Sequence, residues 1–198
     1  MLPFYLEELR GFSPEESGFL LTPLPVAIMV FAPLSGALAD RIGTRWLAAT
    51  GLAIACVGLV LISQLGPNDS VFEIIWRLAL IGFGQALFQS PNNSALMGAA
   101  PAGEQGVASG FLATGRVVGQ SVSVALAGAV FASFGGAAAG RALVQSRMGM
   151  PTGDVAALQQ TFTTAFQITF LVCAGIAAIG VFTSLVRGKE EIARARGG

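Results

Sequence analysis

The sequence predicts an all-α integral membrane protein with five transmembrane helices, preceded by the end of another helix. Of its 198 residues, 54% are apolar and 11% are charged, whereas a soluble domain carries about 25% charged residues. The mean hydropathy of +0.71 indicates more apolar side chains than one soluble core can bury. Five long apolar runs each reach the length of about 20 residues that a helix needs to cross the hydrocarbon layer.

The first two runs span residues 17–39 and 46–65. The first run holds three prolines and no charge, which membrane helices tolerate because neighbouring helices satisfy the freed backbone groups. A charged turn at residues 40–45 separates the two runs. The second run ends at residues 66–70, whose Gly, Pro, Asn, Asp and Ser are typical of a turn.

The third run spans residues 71–100 and begins with Glu73, Trp76 and Arg77. Because Glu73 precedes Arg77 by four residues, which is the favourable order, we expect the two to pair on one helix face. Trp76 suits the membrane–water interface, where tryptophan is enriched.

The fourth and fifth runs span residues 107–134 and 158–186. The stretch between them is rich in Gly and Ala, is more polar, and is predicted to be the longest loop. With these bounds, residues 1–16 form a helix end and an outer loop. Residues 17–187 form the five-helix bundle, and residues 188–198 form the tail.

Residue types alone exclude several classes of function. The chain has no histidine, which removes a common metal ligand and the most frequent general base. Cys56 and Cys173 lie inside apolar runs and are interpreted as small buried hydrophobes. The 11 basic and 11 acidic residues balance, without a basic tract for nucleic acid. We expect no enzyme activity, no cofactor, no metal and no nucleic-acid partner.

The basic residues predict the orientation in the membrane. The charged turn and the tail share one side and hold Arg41, Arg45, Arg187, Lys189, Arg194 and Arg196. The opposite side holds Arg10, Arg141 and Arg147. The positive-inside rule then places the turn and the C-terminus in the cytoplasm. The expected location is the cell membrane, crossed several times.

The N-terminal residues indicate that the chain is part of a larger protein. Residues 1–6 read as the last turns of a helix, and five spans place the start outside. No signal-peptide pattern occurs there. We therefore expect a missing N-terminal half, and a short interfacial helix at a true start is the alternative.

The turn after the first run carries a motif with fixed spacing. Its residues are Gly36, Leu38, Ala39, Asp40, Arg41, Gly43 and Arg45. The pattern resembles the signature loop of the major facilitator superfamily, although Thr44 stands where a second basic residue is common. The resemblance implies the C-terminal bundle of that fold and a cytoplasmic gating loop.

The gating loop comprises Gly36, Asp40, Arg41, Gly43 and Arg45. Its chemistry fits that role, because Gly36 permits close helix approach and Gly43 permits a tight turn. Asp40 can pair with a neighbouring arginine and so latch one conformation. A charged loop that only fixes topology is the alternative.

Other stretches resemble one branch of the superfamily. They are residues 11–18, Pro23, Pro25, 82–85, 91–93, 106–110 and 116–119. They are similar to the fourteen-helix drug:proton antiporters of the EmrB/QacA type. The resemblance implies that the chain supplies the last five helices of a multidrug efflux antiporter.

The third and fourth runs carry candidate cavity residues. They are Gln85, Gln89, Asn92, Asn93, Arg116 and Gln120. The four amides of the third run share one helix face, and polar groups in a membrane helix must face protein or water. Arg116 lies about 15 Å from the cytoplasmic end, a depth that marks a functional site. Helix–helix hydrogen bonding and a snorkelling arginine are the alternatives.

A proton-coupled exporter normally needs a buried carboxylate, and none of the acidic residues lies deep in an apolar run. We therefore expect the coupling group in the absent half. The predicted function is proton-coupled efflux of small amphipathic compounds or drugs by a larger protein. The partners would be the lipid bilayer, the missing half and a small-molecule substrate. A truncated or accessory membrane protein that packs with a partner and does not transport is the alternative.

Overall fold

The computed structural model describes residues 1–101 and 103–196, and for residues 40, 42 and 185–196 it describes the backbone alone. These described residues form eight α-helices and no β-strand. The helices are α1 Leu2–Phe4, α2 Pro14–Leu21, α3 Pro23–Ile42, α4 Thr44–Ser63, α5 Val71–Gly98, α6 Gln105–Ser133, α7 Gly136–Arg147 and α8 Val155–Arg196. A π-helical segment, Tyr5–Leu9, follows α1 directly.

Among the described residues, five helical stretches are long and apolar enough to cross a membrane. They are Pro14–Ala39, Thr44–Ser63, Val71–Gly98, Gln105–Ser133 and Val155–Ser184. The first stretch joins α2 to α3, because Thr22 between them keeps right-handed helical dihedral angles. The prediction of an all-α chain with five membrane-length helices is confirmed. After the fifth stretch, the backbone of α8 continues as a helix to Arg196.

Capping side chains and one glycine explain where three helices begin. Ser13 and Glu16 cap each other's backbone N–H at the start of α2, which forms a capping box. The hydroxyl of Ser70 accepts the N–H of Glu73 at the start of α5. Gly43 alone separates α3 from α4 and has a φ of 89°, a conformation that favours glycine.

The prediction of a long loop after the fourth run is wrong, because that stretch contains α7. The buried residues of α7 are Gly136, Ala139, Gly140 and Leu143. They recur every three or four residues, which is the period of one helix face. Their small size lets α7 lie against the N-terminal segment, where a Cβ on Gly140 would collide with the carboxylate of Glu8. In the sequence, the many glycines and alanines of this stretch weakened the periodic hydropathy pattern that would have predicted a helix.

Helix α5 packs between α3 and α4 at two glycines. A Cβ on Gly84 would lie 2.6 Å from the backbone nitrogen of Ala55 in α4. A Cβ on Gly82 would lie 2.5 Å from the carbonyl oxygen of Leu24 in α3. The backbones therefore approach more closely than a side chain would allow. Helix α8 packs along α4 as well.

The helices alternate in direction, so the bundle has two distinct ends. The Gly43 end carries the turn at Gly43, the turn after α5 and the C-terminal part of α8. The Tyr5 end carries the π-helical segment, α7 and the turn between α4 and α5. The main hydrophobic core lies toward the Tyr5 end. There the rings of Tyr5 and Phe166 stack with centroids 5.0 Å apart.

Helix α6 packs against this core only near its C-terminal end. Phe131 is 5% exposed and meets the ring of Phe162 edge-on, with centroids 5.1 Å apart. In the membrane-length stretch of α6, only 6% of the most apolar window is buried. The remaining length of α6 therefore stands away from the bundle. The side of α6 that carries Phe131 and the side of α5 that carries Leu78 are called the inner faces below, and the space between α5 and α6 on the Gly43 side of the core is called the cleft.

Candidate functional site

The inner face of α5 changes from apolar to amide along the helix. Near the Tyr5 end, Leu78 and Ile81 are buried in the core. Gln85 and Gln89 follow Leu78 by 7 and 11 residues, which places both within about 20° of it around the helix axis. They are half-buried. The face of α5 that packs into the core near the Tyr5 end therefore carries amide side chains toward the Gly43 end.

The polar stripe of α5 is completed by two asparagines. Asn92 and Asn93 follow Leu78 by 14 and 15 residues, within about 40° and 60° of it around the axis. Asn92 is exposed and Asn93 is half-buried. The stripe therefore consists of Gln85, Gln89, Asn92 and Asn93.

The inner face of α6 changes in the same way. Gln120 and Arg116 precede the buried Phe131 by 11 and 15 residues, within about 20° and 60° of it around the axis. Both side chains are exposed. The face of α6 that packs near the Tyr5 end therefore carries the Gln120 amide and the Arg116 guanidinium toward the Gly43 end.

These two polar faces lie at comparable distances from the core along their helices. Asn93 lies 15 residues beyond Leu78, and Arg116 lies 15 residues from Phe131. Leu78 and Phe131 belong to the same core cluster. Both polar residues are therefore about 22 Å from that core along their helices. Helix α5 therefore carries amides, and α6 carries an arginine and an amide, at similar distances from the core.

Hydrogen bonds around Tyr5 close the bundle at its other end. The Tyr5 hydroxyl donates to the carbonyl of Gly66 at 2.7 Å. Arg10 donates from Nη1 to the carbonyl of Asp69 at 2.5 Å and to the Tyr5 oxygen at 3.3 Å. Burial raises the pKa of the Tyr5 phenol, and the Arg10 hydrogen bond opposes that rise. The phenol is therefore a neutral donor that ties the π-helical segment to the turn after α4.

Helix α7 holds the π-helical segment from the outside. Arg147 donates from Nη1 to the carbonyl of Glu7 and from Nη2 to the carbonyl of Leu9, both at 2.8 Å. These carbonyls belong to the end of a helix, where acceptors lack helical partners. Burial raises the pKa of the neighbouring Glu8 carboxyl, Arg141 lowers it, and Glu7 raises it further.

A charged pair at the start of α5 was predicted and is confirmed. Arg77 donates from Nη2 to Glu73 Oε2 at 2.8 Å. Trp76 donates from Nε1 to the same carboxylate oxygen at 3.0 Å. Arg77 also donates from Nη1 to the carbonyl of Leu61 in α4 at 2.9 Å. The pair therefore joins two helices at the Tyr5 end.

A cavity of about 470 Å³ opens at the Gly43 end between α4, α5 and α8. Its volume falls in the range of pockets for small molecules. The polar lining groups come from Thr44, Arg45, Asn92, Thr183 and Ser184. Leu52, Phe88 and Leu96 supply much of the apolar wall. Asn92 belongs both to the polar stripe and to the lining of this cavity.

The predicted gating loop lies at the mouth of this cavity. Arg45 lines the cavity, and its guanidinium lies 5.4 Å from the ring of Trp46. Arg41 is exposed. A Cβ on Gly36 would lie 3.3 Å from the hydroxyl oxygen of Ser90 in α5, so Gly36 lies where α3 meets α5. The side chain of Asp40 falls outside the described residues.

Three participants were missed by sequence reasoning: Tyr5, Arg10 and Arg147. Their hydrogen bonds go mainly to backbone carbonyls of distant residues. Because every residue has a backbone carbonyl, the sequence does not show which one accepts such a bond. Within the described part of the chain, no group of three or more His, Cys, Asp and Glu could hold a metal ion.

Comparison with known families identifies the chain. A model of the Major Facilitator Superfamily matches residues 1–197. The chain belongs to the major facilitator superfamily. This membership agrees with the motif at Gly36–Arg45 and with the five membrane-length helices. The chain is therefore a multi-pass membrane protein of a transporter family.

Three relatives illustrate the likeness to transporters of this superfamily. Uncharacterized transporter YebQ of Escherichia coli is 45% identical over 134 residues, or 68% of this chain and 29% of the relative. Riboflavin transporter RibZ of Clostridioides difficile is 34% identical over 134 residues, or 68% of this chain and 28% of the relative. Multidrug resistance protein Stp of Mycobacterium tuberculosis is 32% identical over 130 residues, or 66% and 24%. The chain covers less than a third of each relative.

Proposed function

We propose that the chain forms the C-terminal bundle of a proton-coupled exporter of small amphipathic compounds. The cleft between α5 and α6 would be one wall of the cargo cavity. The observation that carries this proposal is the change along both inner faces, from packed apolar residues to exposed or half-buried amides and an arginine. Polar groups at such depth in membrane helices mark substrate pathways.

The names of two relatives support a role in moving amphipathic molecules. Stp is named a multidrug resistance protein, and RibZ is named a riboflavin transporter. Riboflavin and many drugs combine aromatic rings with polar groups, so they suit a cavity with amides and apolar walls. The branch of EmrB/QacA-type antiporters is the expected place of the chain within the superfamily.

We further propose a second bundle as partner, against which this one rocks to give alternating access. The stretch Pro14–Ala39 and the stretch Gln105–Ser133 are the least buried of the five, at 11% and 6% of their most apolar windows. Gly115 and Gly119 on α6 have no atom within 4 Å of an added Cβ. These exposed faces would receive the N-terminal half.

The Gly43 end would face the cytoplasm, with the C-terminus on the same side and the cell membrane as location. The excess of arginine at the Gly43 turn and in the tail supports this orientation. Gly36, Asp40, Arg41, Gly43 and Arg45 would form the gating loop. The acidic residues of the five stretches, Glu15, Glu16 and Glu73, lie at the Tyr5 end. The proton carrier of the cargo cavity would therefore belong to the other half.

A chimera with RibZ tests this function. Residues 1–198 replace the matching part of RibZ, and riboflavin movement is measured in proteoliposomes with an imposed pH gradient. We expect the chimera to move riboflavin and the 198-residue chain alone to move none. Replacing Gln85 and Gln89 by Leu should lower the rate of the chimera about tenfold, the size of one or two lost hydrogen bonds.

Native RibZ is the positive control. An inactive chimera beside active RibZ would indicate an accessory membrane protein that packs with a partner without transporting. Efflux by the chain alone would contradict the need for a second bundle.

A further inference from the structure

Two contacts hold α7 on the π-helical segment, and they respond differently to pH. At the end of α7, Arg147 donates hydrogen bonds to the carbonyls of Glu7 and Leu9. A guanidinium and a backbone carbonyl keep their protonation states at physiological pH. In the middle of α7, the carboxyl group of Glu8 occupies the place where a Cβ on Gly140 would lie. Only this second contact contains a group that gains and loses a proton.

The Glu8 carboxyl suits this place better with its proton than without it. It is half-buried, and the ring of Phe162 would lie 3.1 Å from the same Cβ on Gly140. Among the described residues, the carboxyl takes part in no ion pair of 4.0 Å or less and in no hydrogen bond. A carboxylate that leaves water without such partners loses far more solvation free energy than a neutral carboxyl does. Burial therefore raises the pKa of Glu8 above the ordinary 4.5.

The charged groups around Glu8 give its ionised form no close partner. Helix α7 offers Arg141, which is exposed and lowers the pKa of Glu8, and Arg147, whose donors are taken by carbonyls. Glu7 on the same segment raises that pKa. Between residues 155 and 184, α8 has no charged residue. The remaining described charged groups of this end lie at the surface or act on other groups, and they are the amine of Met1, Arg10, Glu15, Glu16, Asp69, Glu73, Arg77 and Asp154.

Helix α7 is connected so that one of its ends can swing away from the segment. Gly135 and Gly149 flank α7, and each has a φ of 78°, a turn conformation that favours glycine. Gly136, at the start of α7, packs against Phe131 of α6 and Ala165 of α8, and this contact holds that end. The opposite end of α7 is therefore the part that can move.

The π-helical segment has its own attachment to the bundle. Tyr5 and Arg10 donate to the carbonyls of Gly66 and Asp69 in the turn after α4, and neither bond involves α7. The N–H of Arg10 donates to the carbonyl of Tyr5 at 3.0 Å, which closes a π-helical turn of the kind that frequently marks a functional site. The segment therefore stays in place when the end of α7 moves.

We propose that Glu8 and Gly140 form a proton-operated latch between the π-helical segment and α7. With its proton, Glu8 stays against Gly140 and α7 remains docked. When Glu8 ionises, its carboxylate turns to water and the Arg147 end of α7 leaves the segment more often. Because the folded-state pKa of Glu8 is raised, docking is strongest below pH 4.5 and weakens as the pH rises through the raised value. The latch goes beyond the proposed function, because it depends on contacts of the Tyr5 end alone.

The test measures the distance between α7 and the segment as a function of pH. The 198-residue chain, with Cys56 and Cys173 replaced by Ser, is placed in phosphatidylcholine nanodiscs. Spin labels are attached at Gln145→Cys on the exposed face of α7 and at Asn68→Cys in the turn that holds the segment. Double electron–electron resonance is recorded on samples frozen at pH 4.5 and at pH 8. We expect one main distance at pH 4.5 and a longer distance whose population rises several-fold by pH 8.

Three variants assign the change to Glu8. Glu8→Gln keeps the shape of the side chain without a proton to lose, so the rise in the longer distance should disappear. Glu7→Gln removes the neighbouring half-buried carboxyl and should keep the rise. Arg147→Gln removes the contact that does not respond to pH, so it should populate the longer distance at both pH values. A distance distribution that is independent of pH in the unaltered chain, or a rise that survives Glu8→Gln, would overturn the proposal.

Discussion

The phenol hydroxyl of Tyr5 donates a hydrogen bond of 2.7 Å to the backbone carbonyl of Gly66, across 61 residues of sequence. Tyr5 belongs to the π-helical segment, and Gly66 begins the turn between α4 and α5. The bond therefore fixes the N-terminal segment to the centre of the bundle. It ties the N-terminal segment to the turn between α4 and α5 at the Tyr5 end of the bundle.

Removing this hydroxyl should weaken the closed end. Tyr5→Phe keeps the ring that stacks on Phe166 but leaves the Gly66 carbonyl without its donor. The expected cost is about 1 kcal/mol, or a fall in Tm of about 2–4 °C for a chain of this size. Thermal unfolding in detergent measures it. Ser133→Ala, which also removes one hydroxyl from an exposed helical position, is the control and should change Tm by less than about 1 °C.

Helix packing at Gly84 predicts a second stability effect. Gly84→Ala would push a methyl group to 2.6 Å from the Ala55 nitrogen, so α4 and α5 must move apart. Overpacking of this kind costs about 1–3 kcal/mol. Gly175→Ala is the matched control in α8, because an added Cβ there has no atom within 4 Å. Equal unfolding temperatures for the two variants would show that α4 and α5 are not in contact there.

The Glu8 carboxyl predicts a dependence of stability on pH. Its pKa is raised above the ordinary 4.5, chiefly by burial. A raised folded-state pKa means that Glu8 stabilises the fold most below pH 4.5 and loses that contribution as the pH rises through the raised value. The neutral variant Glu8→Gln should therefore gain Tm relative to the unaltered chain as the pH increases from 4 to 8.

The control for this pH dependence is Glu104→Gln, which makes the same change of charge at an exposed position of the Gly43 end. It should leave the pH profile of the unaltered chain in place. A Glu8→Gln profile parallel to that of the unaltered chain would contradict a half-buried carboxyl beside Gly140.

The proposed orientation predicts which turns a charged reagent can reach. In a chain with Cys56 and Cys173 replaced by Ser, single cysteines at Thr44 and Glu104 mark the Gly43 end. Cysteines at Asn68 and Gly149 mark the Tyr5 end. A membrane-impermeant maleimide added to intact cells should label only the second pair, because the arginine-rich end is held inside. Labelling of the first pair from outside would reverse the orientation.

Much of the architecture could be predicted from the sequence because hydropathy and helical period act locally. The Glu73–Arg77 pair followed from a spacing of four residues, and the glycine turn at Gly43 followed from a motif. The face shared by Gln85 and Gln89 followed from the same periodicity. Each of these features depends on residues within a few turns of one another.

The features that could not be predicted from the sequence depend on contacts between distant segments. Helix α7 was hidden because Gly136 and Gly140 have little hydropathy, and only the close approach of the N-terminal segment gives them a packing role. Arg147 was assigned to a loop, although it binds two backbone carbonyls. The sequence also contained no sign that α6 packs only near Phe131, since burial of a helix depends on its neighbours.

The central claim is that the polar faces of α5 and α6 line one cargo space, and cysteine protection tests it most directly. In the active RibZ chimera without native cysteines, single cysteines are placed at Gln89, at Gln120 and at Val118. Val118 lies on the opposite face of α6, about 140° from Phe131 around the axis. The rate of maleimide labelling is measured with and without saturating riboflavin. We predict slower labelling at Gln89 and Gln120, by several-fold, and an unchanged rate at Val118. Unchanged rates at Gln89 and Gln120, or equal protection at Val118, would contradict it.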